Sequence, residues 1–166
     1  MAAPCEHVDE VRDDWAPVAD PVCEDCAETE DSWVSLRRCL TCGHIGCCDS
    51  SPHRHATAHS HETGHPMVRT LQPRQDWVWC YVDEITLRKT DRRWVEIDLF
   101  YEAGLAYMRD HVDAGGDPNI DEGFIFGRGF PLGRWAAEMR QRRAAGDLGA
   151  DQSAQIDALP GWRWDG

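Results

Sequence analysis

The sequence predicts an α+β zinc-bound finger over residues 1–86, made of a small antiparallel sheet with short helices, followed by an all-α three-helix domain over residues 90–166. The finger is predicted by closely spaced cysteines and histidines in the first half of the chain, because Zn²⁺ binds thiolates and imidazoles in tetrahedral sites. The helical domain is predicted by apolar residues that recur every three or four positions after Thr90.

The charge and the apolar content of the sequence disfavour two classes of partner, nucleic acids and membranes. The 166 residues include 17 Lys and Arg and 30 Asp and Glu, a formal net charge of −13. This charge disfavours non-specific attraction to nucleic acid or to an anionic membrane. Residues 1–7 contain no apolar run of the kind found in signal peptides, and no segment has the length of a membrane span. We therefore expect a cytoplasmic protein with no membrane partner.

The first half places short apolar segments between cysteine pairs. Alternation of apolar and polar residues predicts strands over 33–37, 67–71 and 77–82, and a short helix is expected over 53–62. Eight cysteines in a reducing compartment indicate metal sites rather than disulfides. Twelve candidate ligands, enough for three tetrahedral sites, are Cys5, His7, Cys23, Cys26, Cys39, Cys42, Cys47, His55, His59, His65, Cys80 and Asp83.

Spacing alone does not divide these ligands among ions. His55 and His59 are four residues apart on the expected helix, so they face the same side and could share one ion. Any single histidine could instead be a surface or packing residue. A redox role for a Cys-x-x-Cys pair is disfavoured, because no βαβ pattern surrounds either pair.

The cysteine and histidine pattern resembles the zinc finger of ubiquitin-processing proteases, the UBP-type zinc finger. The residues that carry the resemblance are Cys5-x-His7, Cys23-x-x-Cys26, Cys39-x-x-Cys42-Gly43, Cys47, His55-x3-His59-x5-His65-Pro66 and Trp79-Cys80-Tyr81. The resemblance implies three Zn²⁺ sites, formed by Cys5, His7, Cys80 and Asp83, by Cys23, Cys26, Cys47 and His55, and by Cys39, Cys42, His59 and His65. The family often has cysteine where Asp83 stands. Each site would be saturated by protein ligands, whereas a catalytic zinc keeps an open position, so we expect structural ions.

The resemblance also implies a pocket for the free C-terminal Gly-Gly tail of a partner protein, with Trp79 and Tyr81 in the places of the pocket aromatics. In ubiquitin-binding members of the family, an arginine two residues after the equivalent of Cys47 binds the tail carboxylate. This chain has Asp49 there, and an aspartate repels a carboxylate. Ubiquitin binding in the usual mode is therefore disfavoured. The alternatives are a changed tail or partner peptide, and a finger whose aromatics are simply packed. Three arginines could compensate for the charge, namely Arg37, Arg38 and Arg54.

The second half has the pattern of helices. Apolar residues from Trp94 to Val112 follow spacings of three and four, which predicts a helix whose start Thr90 or Asp91 can cap, after a linker around 84–90. A Gly-rich loop is expected over 119–130. A second helix is predicted from a stripe that runs from Leu132 to Met139, and a third over about 150–159, with Trp162 and Trp164 packing on the helices.

This half resembles the helicase-associated domain. The resemblance is carried by Pro131-Leu132-Gly133-Arg134-Trp135, Met139-Arg140, Ala145-Gly146-Asp147-Leu148 and Leu159-Pro160-Gly161-Trp162-Arg163-Trp164. It implies contact with nucleic acid through the helical face. Four arginines on the second helix would form the phosphate-facing edge, namely Arg134, Arg140, Arg142 and Arg143. The other interpretation of these arginines is a solvated helix face whose charge nearby acids offset.

Two functions are consistent with these patterns. The first is a zinc-binding recognition or adaptor protein whose finger reads a C-terminal peptide tail of a partner protein. The second is a nucleic-acid-associated protein that contacts DNA or RNA through the helical domain. We do not expect an enzyme, because the sequence shows no open metal site, no nucleophile–base pair in a recognisable context and no phosphate-binding loop.

Overall fold

The computed structural model describes residues 4–12, 14–73, 75–91 and 93–165. The chain divides into two compact units, Met1–Ile97 and Asp98–Gly166. The first unit is an antiparallel sheet with short helices and the second is helical, so the predicted fold class is confirmed. Residues 1–3, part of the N-terminus that we judged to lack a signal peptide, lie outside the described residues. Within the described ranges, no helix is long and apolar enough to cross a lipid bilayer.

The first unit is built on six antiparallel strands in the order β2-β1-β3-β4-β5-β6. The strands are β1 Leu36–Cys39, β2 Ile45–Cys47, β3 Met67–Thr70, β4 Val78–Cys80, β5 Ile85–Thr90 and β6 Arg93–Glu96. A 3₁₀ turn at Glu6–Asp9 precedes two helices, α1 Glu24–Thr29 and α2 His55–Thr63.

The register of the sheet determines which side chains share a face. Arg37 of β1 is opposite Gly46 and Thr70, while Trp79 of β4 is opposite Val68. Because opposed residues in antiparallel strands project to the same side, these side chains occupy one face of the sheet. Helix α2 packs on this face at β1 and β2. A side chain at Gly46 would not fit there, because its Cβ would lie 2.5 Å from the backbone nitrogen of Ala56.

The opposite face of the sheet carries the main apolar core of the first unit. Its fully buried members include Met67, Val78 and Leu87 from three neighbouring strands, together with Leu40. Burial of these side chains holds β3, β4 and β5 together and leaves the other face available for α2 and for exposed aromatics.

The predicted linker around 84–90 and the predicted helix cap at Thr90 or Asp91 are wrong. Strands β5 and β6 occupy most of residues 85–96, and Trp94 packs against the core of the sheet. Trp94 and Val95 are an aromatic and a β-branched residue, types that favour strands, and pairing with β5 supplies the backbone of β6 with hydrogen bonds. The first long helix begins after Asp98, whose side chain accepts a hydrogen bond from the Tyr101 amide.

The second unit contains α3 Leu99–Asp113, α4 Leu132–Ala145 and α5 Ala150–Asp157. Its core surrounds Trp135, which is fully buried, and Trp162 and Trp164 pack against it as the sequence predicted. Helix α3 can approach Trp135 because position 104 is glycine, since a Cβ there would lie 2.1 Å from the indole Cδ1.

Replacing Gly104 with alanine tests this contact. Helix propensity alone would make Gly104→Ala stabilising by about 1 kcal/mol. We expect instead a loss of about 2 kcal/mol in the free energy of unfolding, because the new methyl group overpacks the core against Trp135. The measurement is urea unfolding of the full chain followed by far-ultraviolet circular dichroism. Gly123→Ala is the control, because a Cβ at Gly123 meets no atom within 4 Å. A Gly104→Ala variant as stable as the parent would contradict the account.

Candidate metal centres and the aromatic surface

The structure brings the twelve candidate ligands together in three sets of four. Within each set, one ligand atom from every residue lies within 4.8 Å of the others. The sets are Cys23, Cys26, Cys47 and His55, then Cys39, Cys42, His59 and His65, then Cys5, His7, Cys80 and Asp83. This is the division that the family resemblance implies, and spacing alone did not give it.

The first cluster joins α1, β2 and α2. Cys23 and Cys26 lie at the start of α1 and within it, Cys47 ends β2, and His55 begins α2. The Nδ1 atom of His55 lies 3.3 Å from both the Cys23 and Cys26 sulfurs and 3.6 Å from the Cys47 sulfur. Burial raises the pKa of Cys26 to about 12, so this thiol stays protonated until a metal ion displaces its proton.

The second cluster is adjacent to the first through the same helix. Cys39 ends β1 and Cys42 lies in the following turn, while His65 follows the end of α2. The His59 Nε2 atom lies 3.3 Å from the Cys42 sulfur and 3.2 Å from His65 Nδ1. Burial lowers the pKa of His59, which favours the neutral imidazole that a metal requires. His55 and His59 therefore belong to different clusters, although they are one turn apart.

The third cluster connects the two ends of the finger. The His7 Nδ1 atom lies 3.0 Å from Asp83 Oδ2, and the Cys80 sulfur lies 3.6 Å from the same oxygen. A hydrogen bond with Cys5 lowers the pKa of Asp83, so its carboxylate is ionised, while burial raises the pKa of Cys5 to about 12. Asp83 is thus placed to act as the oxygen ligand in a set whose other members are sulfur and nitrogen.

These donor sets fit Zn²⁺. Each contains at least two cysteines and at least one histidine, the soft and borderline ligands that select zinc, and each supplies four ligands. The prediction of about three zinc sites is therefore confirmed. Four protein ligands complete a tetrahedral site, so a bound ion would cross-link the segments that supply the ligands. Each ion would connect elements that are far apart in the chain.

The two aromatics implied by the resemblance lie on β4 and directly after it, and Tyr81 contacts α2. Trp79 and Tyr81 are both half-buried. The Tyr81 hydroxyl lies 3.2 Å from the Thr57 hydroxyl of α2, which donates a hydrogen bond of 2.5 Å to Asp49 Oδ1. Burial raises the pKa of Tyr81, so its hydroxyl stays protonated at neutral pH. Sequence reasoning missed Thr57. The available signal was its place on α2, two residues after the ligand His55.

Two of the three arginines that could have compensated for Asp49 contact other partners. Arg37 lies over the Trp77 ring at 4.6 Å and donates to the Leu36 carbonyl at 2.8 Å. Arg38 is buried and donates to the Ala16 carbonyl. Arg54 is exposed at the start of α2. Over the described ranges, none of the three forms an ion pair with Asp49.

Three of the four arginines on α4 are engaged within their own unit. Arg140 lies over the Trp162 ring at 4.3 Å and donates to the Arg163 carbonyl. Arg142 pairs with Asp98 at 2.8 Å. Arg143 lies over the Trp164 ring at 4.2 Å and pairs with Asp157. Arg134 is exposed. The edge that the sequence suggested for phosphates is thus largely used to hold the C-terminal indoles and the first turn of α3.

Comparison with known proteins matches both halves of the chain. The family model described as the Zn-finger in ubiquitin-hydrolases and other proteins matches residues 23–92, and the model of the helicase associated domain matches residues 98–165. The BRCA1-associated proteins of Mus musculus and Homo sapiens are each 34% identical over 101 residues, which cover 59% of this chain. The chain spans only 16% of the length of these relatives.

A solved structure is also similar to this chain. It is the solution NMR structure of protein RPA1320 from Rhodopseudomonas palustris, with 46% sequence identity. The match covers 56% of this chain and 89% of that one, with a TM-score of 0.47.

Two neighbouring cysteines provide a matched test of the metal clusters. Cys47 belongs to the first cluster, whereas Cys48 lies outside all three and contacts the Ser35 and Ser51 hydroxyls. We expect three zinc ions per parent chain, at least one fewer in Cys47→Ser, and three in Cys48→Ser, because only the first substitution removes a thiolate ligand. The measurement is zinc per chain by inductively coupled plasma mass spectrometry after dialysis. Equal zinc contents in the two variants would refute the assignment.

Proposed function

We propose that the protein is a zinc-stabilised recognition module. Residues 23–92 belong to the family of zinc fingers in ubiquitin hydrolases, and residues 98–165 belong to the helicase-associated domain family. In this proposal the first unit binds a peptide segment of a partner protein through the aromatic surface, which we define as Trp77, Trp79 and Tyr81 together with Thr57 and Asp49. The proposal is of a binding protein rather than an enzyme.

The observation that carries the proposal is the position of the aromatic surface. Trp77, Trp79 and Tyr81 all remain half-exposed on or beside β4, although the core of the sheet lies on its other face. Large aromatic side chains that stay partly open to solvent are typical of sites that bind peptides. The helix is held by two metal clusters, so the surface is organised before a ligand arrives.

The relatives agree with a role in protein interaction. Two of them are named for association with another protein, BRCA1. That association is theirs, and its partner is not carried over to this chain. What we take from it is the class of function, recognition of a protein by a module that contains the finger.

The peptide that we propose differs from the C-terminal tail that ubiquitin-binding members of the family bind. A C-terminal tail is what the resemblance implies, and it requires a positive group where this chain has Asp49. We therefore propose that the partner segment is held by aromatic contacts and hydrogen bonds, without capture of a terminal carboxylate.

The alternative, nucleic-acid binding by the helical unit, has less support. Arg140, Arg142 and Arg143 already have partners within that unit. Residues 98–166 contain 12 acidic and 7 basic residues, so the unit is acidic overall. We assign no phosphate contact to these three arginines.

Selection of peptides tests the proposal. A display library of random peptides is selected on the zinc-loaded full chain, and the affinity of the selected peptides is measured by fluorescence polarisation. We expect Trp79→Ala and Tyr81→Ala each to weaken binding by about 30-fold, because aromatic residues at the centre of an interface contribute most of its affinity.

Two controls accompany this selection. Val82→Ala changes an exposed neighbour of Tyr81 and should leave affinity unchanged. Zinc content and circular dichroism of Trp79→Ala and Tyr81→Ala should match the parent, because neither residue is a ligand. The proposal fails if the parent selects no peptide, or if selected peptides bind the two alanine variants as well as they bind the parent.

A further inference from the structure

Within the aromatic surface, Asp49 has one carboxylate oxygen for which the described residues offer no partner. Its Oδ1 atom accepts the hydrogen bond from Thr57, while no described hydrogen bond or ion pair engages Oδ2. The residue is exposed, so a ligand can reach it. The Thr57 hydroxyl contacts both the Asp49 carboxylate and the Tyr81 phenol, so it holds the carboxylate close to the ring. A negative charge is therefore held in a defined place next to an aromatic ring.

One arginine, Arg37, is close to Asp49, but its described contacts are with other groups. The Arg37 guanidinium is within electrostatic range of Asp49 and Tyr81, and burial lowers the pKa of Arg37. Its Nη1 group, however, donates to the Leu36 carbonyl and the Thr70 hydroxyl, and the guanidinium lies over the Trp77 ring. Among the residues that the structure describes, no cation forms an ion pair with Asp49.

The aromatic rings complement this charge. Trp79 precedes Tyr81 by two residues, so the two side chains share a side of the chain and stand about 7 Å apart along it. The Tyr81 amide donates to the Pro66 carbonyl and continues the pairing of β4 with β3. A cation within about 6 Å of such ring faces is attracted by their quadrupoles. A carboxylate with adjacent aromatic faces is an arrangement that favours an ammonium group.

The net negative charge of the first unit also favours a cationic ligand. Residues 1–97 contain 18 acidic and 10 basic residues, which favours the approach of a cationic ligand and opposes that of an anionic one.

We propose that the aromatic surface binds an ammonium group of the partner peptide, from a lysine side chain or a chain N-terminus, at Asp49 Oδ2 and against Trp79 and Tyr81. This inference rests on the proposed function and specifies its ligand chemistry. It inverts the charge preference that the family resemblance implies, because Asp49 occupies the place of an arginine.

The test uses three small probes on the zinc-loaded full chain, followed by ¹H–¹⁵N NMR. N-acetyl-lysine methylamide offers a side-chain ammonium, glycylglycinamide offers an N-terminal ammonium, and N-acetylglycylglycine offers a free carboxylate. We expect at least one ammonium probe to shift the Trp79 indole and the Tyr81 and Thr57 amide signals with a Kd of about 1 mM, the range that its size permits. The carboxylate probe should produce no shift. The ammonium probe that binds identifies the source of the group.

Variants of Asp49 and Arg37 test whether the charge of the surface determines which probe binds. Asp49→Asn should weaken ammonium binding about tenfold, since a charge-assisted hydrogen bond is lost. Asp49→Arg should abolish it and allow the carboxylate probe to bind. Arg37→Gln should strengthen ammonium binding, because a repelling charge is removed. Glu62→Gln is the matched control, an exposed acid of α2 outside the aromatic surface, and should have no effect.

Several results would overturn the inference. They are shifts of the same signals by the carboxylate probe in the parent, an unchanged affinity in Asp49→Asn, or no shift with either ammonium probe. These failures are distinct from failure of the proposed function. If the parent selects peptides that depend on Trp79 but not on Asp49, only the ammonium inference is wrong. If the parent selects no peptide, the proposed function is wrong as well.

Discussion

Closure of three four-ligand clusters is the constraint on which the first unit depends. The clusters connect residues that are far apart in the chain, as when His7 meets Asp83 across 76 positions. The strands are short, and β2 and β4 have only three residues each. Backbone pairing of that length is weak by itself, so metal binding provides much of the free energy that orders the unit.

Helix α2 transmits this constraint to the aromatic surface. His55 and His59 fix the helix to two clusters, and Gly46 lets it approach the sheet closely. Thr57, between those histidines, then lies in a single position relative to Asp49 and Tyr81. The geometry of a surface that contains no metal ligand is thus determined by two sites that do. In the same helix, His55 and His59 belong to the metal clusters, whereas the Thr57 hydroxyl belongs to the proposed recognition surface.

The ligands could be predicted from the sequence because zinc binds few residue types, and all twelve ligands are cysteine, histidine or aspartate. Their division into sites could not be derived from spacing, since one turn of helix separates His55 from His59 and both are compatible with one ion. The boundary between the halves was misplaced for a similar reason. Trp94 fits both a helical stripe and a strand, and only its pairing with β5 and its burial against the sheet decide between them. The pattern of α4 alone could not predict that Arg140 and Arg143 contact Trp162 and Trp164, because these indoles are about twenty residues further along the chain.

The central claim is that the three clusters are closed structural zinc sites made only of protein ligands. Zinc K-edge X-ray absorption of the zinc-loaded full chain tests this most directly, because it counts the atoms bound to the metal. The three sets predict seven sulfur and five nitrogen or oxygen ligands over three ions, with four ligands for each ion. A spectrum with that ratio supports the account. A lower sulfur count, with water in its place, would mean that at least one site is open, and the first unit would then have to be considered as a catalytic domain.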